Sequence, residues 1–252
     1  MIDLHCHLLP GIDDGPADLG GSLAMAQQHV KAGVEVVAAT PHVAWDMPNE
    51  AATIELRLAD VRAALAAASI PLEVVSGAEI DVHQAVGLTD EQLRALSLGG
   101  GPWLLIEAPL TKGVGLAPVV YALLDRGHRV LIAHPERSPL LQSDRDGLHA
   151  LVRAGAATQI TAGSFAGNFG RTVREYAEGM LEAGLVHSVA SDAHDTFRRP
   201  PGIAAPLSAA GLGELTELLA HEAPAAILAG DPLPPVPSWR RRRSGLRGLL
   251  GR

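Results

Sequence analysis

Seven short apolar runs, separated by stretches long enough for a helix, constrain this chain more than any other feature of its sequence. They are MIDLH (1–5), EVVAAT (35–40), LEVVSGAEI (72–80), WLLIEA (103–108), RVLIAHP (129–135), ATQITA (157–162) and VHSVASD (186–192). A strand that is apolar on both faces must be covered on both faces, as parallel strands are in a sheet wrapped by helices. Between the runs lie amphipathic segments such as DLGGSLAMAQQHVKAG (18–33) and EAATIELRLADVRAALAAAS (50–69), the second with Pro48 and Asn49 as its expected start. Gly33, Gly127, Gly155 and Gly184 each close a helical stretch before a strand, where a left-handed residue is expected. Strand-then-helix repeated about seven times predicts an α/β fold with a closed or nearly closed parallel barrel; a doubly wound open sheet is the alternative. The barrel domain is expected over residues 1–230, with a proline-rich linker and a basic tail over 231–252.

The polar residues fall at one end of these strands. At or just past its C-terminal end the first gives His5 and His7, the second His42, the third Glu79, the fourth Glu107, the fifth His134 and the last Asp192 and His194. Only ATQITA ends without such a residue. Active sites of barrels and doubly wound sheets lie at the C-terminal ends of the strands, so these side chains are expected to converge. Residues i and i+2 of a strand share a face, so His5 and His7 can reach one cation while Cys6 points away, and Asp192 and His194 repeat that spacing. Asp13 and Asp14 follow the first strand in a DDG turn and are both candidates. Each residue alone has an ordinary reading: a packed histidine, a helix cap, a turn aspartate. Six of seven strands finishing in His, Asp or Glu, with almost none in their interiors, is what points to a multinuclear metal site. Mixed nitrogen and oxygen donors suit Mn, Fe or Zn better than Ca or Mg, and so many ligands suit two or three ions. His83 is held in reserve; His29, His128, His149, His187 and His221 are expected to face solvent.

Composition excludes several classes. The net charge of −8 and the scarcity of aromatic residues argue against a nucleic-acid partner. No apolar run is long enough to span a bilayer, and no secretory signal is read at the N-terminus. Cys6 is the only cysteine, so no intrachain disulfide can form, which fits a cytoplasmic location. Cys6 is not expected to be a nucleophile, because no phosphate-cradling loop follows it.

HCHLLPGIDDGP, ATPH, SGAEI, LLIEAP, IAHPER and SDAH…RRPP, in that order from Met1 to about Pro201, resemble the PHP (polymerase and histidinol phosphatase) metallophosphoesterases. More narrowly they resemble the bacterial CpsB/YwqE-type tyrosine-protein phosphatases of capsule and exopolysaccharide synthesis. The resemblance implies a distorted (β/α)7 barrel and three metal ions, usually manganese. It implies that His5, His7, Glu79 and Asp192 hold the first ion, that Glu79 bridges to a second held by Glu107 and His134, and that Asp14, His42 and His194 hold the third. Asp13 is the other claimant to the place of Asp14. Arg137 matches a family arginine and Arg199 another, with Arg198 beside it. The implied activity is hydrolysis of phosphotyrosine by metal-activated water, with a bacterial tyrosine kinase as the protein substrate. The alternatives are a phosphatase of a small phosphomonoester, such as histidinol phosphate or a sugar phosphate, and a non-catalytic PHP binding module. The tail, SWRRRRSGLRGLLGR, is a candidate for weak docking on an anionic membrane or the kinase, with Trp239, Leu246, Leu249 and Leu250 as the apolar contacts.

Overall fold

The computed structural model describes residues 1–110, 115–236 and 239–240. Residues 241–252, with most of the expected basic tail and Leu246, Leu249 and Leu250, lie outside the described residues.

All seven apolar runs are strands, and two of them are broken. The strands are β1 (Ile2–Cys6), β2 (Val36–Ala39), β3 (His42–Val43), β4 (Glu73–Ser76), β5 (Glu79–Asp81), β6 (Trp103–Glu107), β7 (Arg129–Ala133), β8 (Ala157–Thr161) and β9 (Ser188–Ala190). They form two parallel sheets, ordered β1-β2-β4 and β3-β5-β6-β7-β8-β9. Since β3 continues β2 and β5 continues β4 after short interruptions, the two sheets share two lines of chain. The ring is completed between β9 and β1: Asp192 N–H donates to the His5 carbonyl and His7 N–H to the Ala193 carbonyl, both at 2.9 Å. The result is an α/β barrel of seven parallel strand lines. Gly33, Gly127, Gly155 and Gly184 all take positive φ where the helices hand over to strands. Asn49 does not cap the helix Ala51–Ala67; its Nδ2 donates to the carbonyls of Ile12 and His42.

The interior is divided along the strands. One buried cluster, with Ile2, Leu4, Ala38, Trp103, Leu105, Leu131 and Ala157, fills the N-terminal half, and Ile227 of the helix Ala223–Ala229 plugs it. Residues of the same parity nearer the C-terminal ends are polar: Trp103 and Leu105 lead to Glu107, and Ala157 leads to Gln159. The larger apolar cluster lies between barrel and helices, where Ile54, Leu58, Val61 and Leu65 of one helix pack with Val37 and Val74. Two devices break the alternation. The register of β1 against β2 shifts between Asp3 and Cys6, so Leu4 joins the inner cluster and His5 also reaches inward. A bulge of this kind re-aims a side chain at a barrel rim. At the end of β7, His134 takes φ 34°, turning a residue of outward parity toward the interior.

Four expectations need correction, the first that of His187, which is half-buried and accepts from Thr158 N–H through Nδ1 at 3.2 Å. His29 is fully buried and contacts Cys6 Sγ through Nε2 at 3.3 Å, and His128 is buried beside Asp90 at 3.0 Å; neither faces solvent. A polar ring can be recognised as buried only once the elements around it are docked. Trp239, expected as a free apolar contact of the tail, packs half-buried against the larger cluster.

Candidate metal centre

Glu79 lies at the middle of the site. Its Oε2 is 3.2 Å from His5 Nε2, 3.4 Å from His7 Nε2 and 3.1 Å from His42 Nδ1, while its Oε1 is 2.6 Å from His134 Nε2. Asp192 Oδ1 faces the same pair of rings, 3.4 Å from His5 Nε2 and 3.6 Å from His7 Nε2. At the rim, Asp14 Oδ1 is 3.2 Å from His194 Nε2 and 3.6 Å from His42 Nε2. All nine residues that the sequence points to as ligands therefore meet in one place, Glu107 included, which groups with His42 and Glu79.

The electrostatics are those of buried carboxylates and imidazoles packed against one another. Burial would raise the carboxyl pKa of Glu79, yet the His5 and His134 rings hold it well below the usual range. Asp192 is likewise held well below its ordinary value against burial, by His5, His7, His134 and Arg199. Glu107 shifts the other way: burial and the nearby Glu79 and Asp81 carboxylates push it up to about 9 against the pull of Arg137. His134 is pushed down to about 4, chiefly by burial. Two buried carboxylate oxygens, Glu79 Oε2 and Asp192 Oδ1, accept no hydrogen bond. Buried anionic oxygens left without donors and ringed by imidazole nitrogens fit divalent cations. The donor atoms fall into four overlapping groups: His7, Asp14, His42 and His194; His5, His134 and Asp192; His5, His7 and Glu79; and His42, Glu79 and Glu107.

Around these donors stand residues that orient them. Asp13 is buried and its Oδ2 accepts from His7 Nδ1 at 2.7 Å, while Asp14 is 55% exposed and faces the other histidines. The geometry thus separates two aspartates that the sequence leaves equal. Gln159 Oε1 meets His5 Nδ1 at 3.1 Å, so the strand without a ligand supplies an orienting amide. Outer partners of this kind fix the ring and its tautomer. Nothing local in sequence marks Gln159; only strand parity places it inward. Arg137 and Arg199 approach from different loops and both donate to Asp192 Oδ2. Arg199 Nη1 also lies 2.8 Å from His194 Nε2, whereas Arg198 is exposed. The Arg137 guanidinium stacks on Phe169, its Cζ 4.7 Å from the ring centroid. Cys6, on β1, is fully buried with its Sγ against His29, and burial and the nearby Asp3 push its thiol well above the usual range, which disfavours the thiolate. His83 is exposed and joins none of these groups.

The family model for capsular polysaccharide synthesis, CpsB/CapC, matches residues 1–213. The tyrosine-protein phosphatase YwqE of Bacillus subtilis (strain 168) is 38% identical over 201 residues, 79% of each chain. The tyrosine-protein phosphatase CpsB of Streptococcus pneumoniae is 29% identical over 210 residues, 80% of this chain and 86% of that one. Among solved structures, a chain from the work on YwqE and CpsB, described as unique metal-dependent tyrosine phosphatases, superposes with a TM-score of 0.82 at 33% identity and covers 95% of this chain and 100% of its own. A D-hydantoinase, at 10% identity and a TM-score of 0.54, shares the fold alone. With sequence and fold matched over most of its length, the chain belongs to the CpsB/CapC family of capsular polysaccharide synthesis.

Proposed function

We propose that this protein is a manganese-dependent protein-tyrosine phosphatase that acts in the cytoplasm on a tyrosine kinase of polysaccharide synthesis. The observation that carries this reading is the meeting of two guanidiniums with nine metal-type ligands around buried carboxylates. His5, His7, Glu79 and Asp192 would hold one ion, Glu79, Glu107 and His134 a second, and Asp14, His42 and His194 a third. When bound, such ions supply Lewis-acid charge for phosphoryl oxygens and lower the pKa of a coordinated water. The chain's own residues do the rest. Asp13 and Gln159 hold the His7 and His5 rings in place. Arg137 and Arg199 present planar donors from two sides, suited to equatorial phosphoryl oxygens on which charge spreads in the transition state. The relatives named tyrosine-protein phosphatases support the aryl phosphate as substrate. Within this reading the barrel comprises residues 1–230, and 231–252 serve as linker and tail.

The test is hydrolysis of a phosphotyrosine peptide against histidinol phosphate by the full chain, with metal analysis of the same preparation. The peptide should be the better substrate, chelation should abolish turnover, and Mn2+ should restore it. Full activity after verified demetallation, or turnover of histidinol phosphate alone, would overturn the proposal.

A further inference from the structure

Trp45 and Phe197 are the most exposed large apolar side chains among the described residues, at 82% and 89%. Single exposed aromatics are ordinary; the placement of these two is not. Each stands three residues beyond a candidate ligand, Trp45 after His42 and Phe197 after His194. The rings of those histidines are 6.2 Å apart. Three residues span at most about 11 Å, so each aromatic stands within that reach of its histidine at the edge of the site.

Neither sits on a loose loop. Ala44 and Met47 exchange both backbone hydrogen bonds, at 3.1 and 3.2 Å, and Val43 pairs antiparallel with Pro48, which leaves Trp45 at the tip of a tight turn. Asp195 Oδ1 accepts from the N–H groups of Phe197, Arg198 and Arg199, and the Arg199 carbonyl accepts from those of His194 and Asp195. The turn that displays Phe197 therefore also sets Arg199, whose guanidinium reaches Asp192. A large apolar side chain held in water on a fixed turn adds nothing to folding, but it is a preorganised contact for binding.

The floor below differs in kind. His5, His7, Glu79 and Asp192 are each no more than 2% exposed and lie beneath the rim residues His42 and Asp14. A phosphate ester must reach down to charged groups while the rest of its molecule stays at an apolar edge. We propose that Trp45 and Phe197 form an aromatic rim that takes the peptide around a phosphorylated tyrosine and sets the preference for protein over small phosphate esters. This inference rests on the function proposed above. Apolar contact at the edge and charge at the floor fit an aryl phosphate on a polypeptide, whereas a small sugar phosphate offers the edge nothing.

The experiment compares Trp45→Ala, Phe197→Ala and the double variant with the unmodified full chain, all loaded with Mn2+. The readout is the ratio of kcat/KM for a phosphotyrosine peptide to that for phenyl phosphate. The ratio should fall about tenfold in the double variant, carried by KM for the peptide, the scale of loss expected for aromatic contacts at an interface. A non-hydrolysable phosphonate peptide should also shift the emission of Trp45 to the blue, and less so in Phe197→Ala. If the unmodified chain cleaves the peptide and the ratio stays within twofold in every variant, the inference fails and the proposed function stands. If the unmodified chain cleaves histidinol phosphate and no phosphotyrosine peptide, the proposed function fails and the inference with it. Loss of a dimer in the variants with an unchanged ratio would assign the rim to a second copy of the chain and overturn the inference.

Discussion

Asp13 and Asp14 are neighbours in sequence and opposites in environment. Asp13 accepts from His7 Nδ1 and from the backbone N–H groups of Gly15 and His42, and these contacts hold its carboxyl below the usual range although burial opposes it. Asp14 reaches the rings of His42 and His194. An orienting carboxylate and a ligating one should fail differently. Asp13→Asn should lower the affinity for Mn2+ by about 10–100-fold, the usual cost of losing an outer partner, in a metal titration read by calorimetry. Unchanged affinity would show that Asp13 serves only the turn. Asp192 and His134 share another trait. They and Ser69 are the only non-glycine residues with positive φ among those described, at 53° and 34° for the two site residues. Such backbone is uncommon outside glycine and collects at functional sites.

The turn after β7 is the element that most departs from what local sequence announces. His134 bends inward and Arg137 follows it into the site, and between them Glu136 is fully buried. Its Oε1 accepts from Thr161 N–H at 3.0 Å and from Ser164 Oγ at 2.7 Å, which ties the turn to the end of β8. Burial pushes its pKa up to about 7. The folded state then keeps a proton that the unfolded chain releases at the ordinary carboxyl value, so stability is lost as pH rises from that value through about 7. Glutamine cannot ionise. Thermal melts of Glu136→Gln and the unmodified protein should coincide near pH 5, and the variant should melt higher near pH 8, at about 2–4 °C per kcal/mol. Parallel profiles would refute a buried, titrating Glu136. The strands themselves were legible, because their apolar runs and the glycines before them are local signals. The meeting of the candidate ligands was legible because strand ends converge in any parallel barrel. The breaks after Ala39 and Ser76, the shifted register of β1, Gln159 and the burial of His29 were not, since each is decided by a neighbour far along the chain.

For the whole molecule, the C-terminal segment is more attached than its proline-rich sequence suggests. Arg129 Nη1 donates to the carbonyls of Gly230 and Asp231, Leu233 packs against the inner cluster and Trp239 against the outer one. A chain ending at Asp231 should melt several degrees below one ending at Arg240, each kcal/mol of lost packing moving Tm by about 2–4 °C. Equal melting of the two shortened chains would show that Leu233 and Trp239 hold nothing. The join between β9 and β1 bears on how the enzyme is made. Ser191 Oγ and the His5 carbonyl meet across 186 residues of sequence, and ligands stand on both sides of that join. A ribosome adding about 5–20 residues per second takes roughly ten to forty seconds to cross such an interval. Throughout that time His5 and His7 are already synthesised while Asp192 and His194 do not yet exist. The nascent chain therefore lacks two of the nine candidate ligands until its last strand emerges, and hydrolytic competence arrives in one step with the closing of the ring.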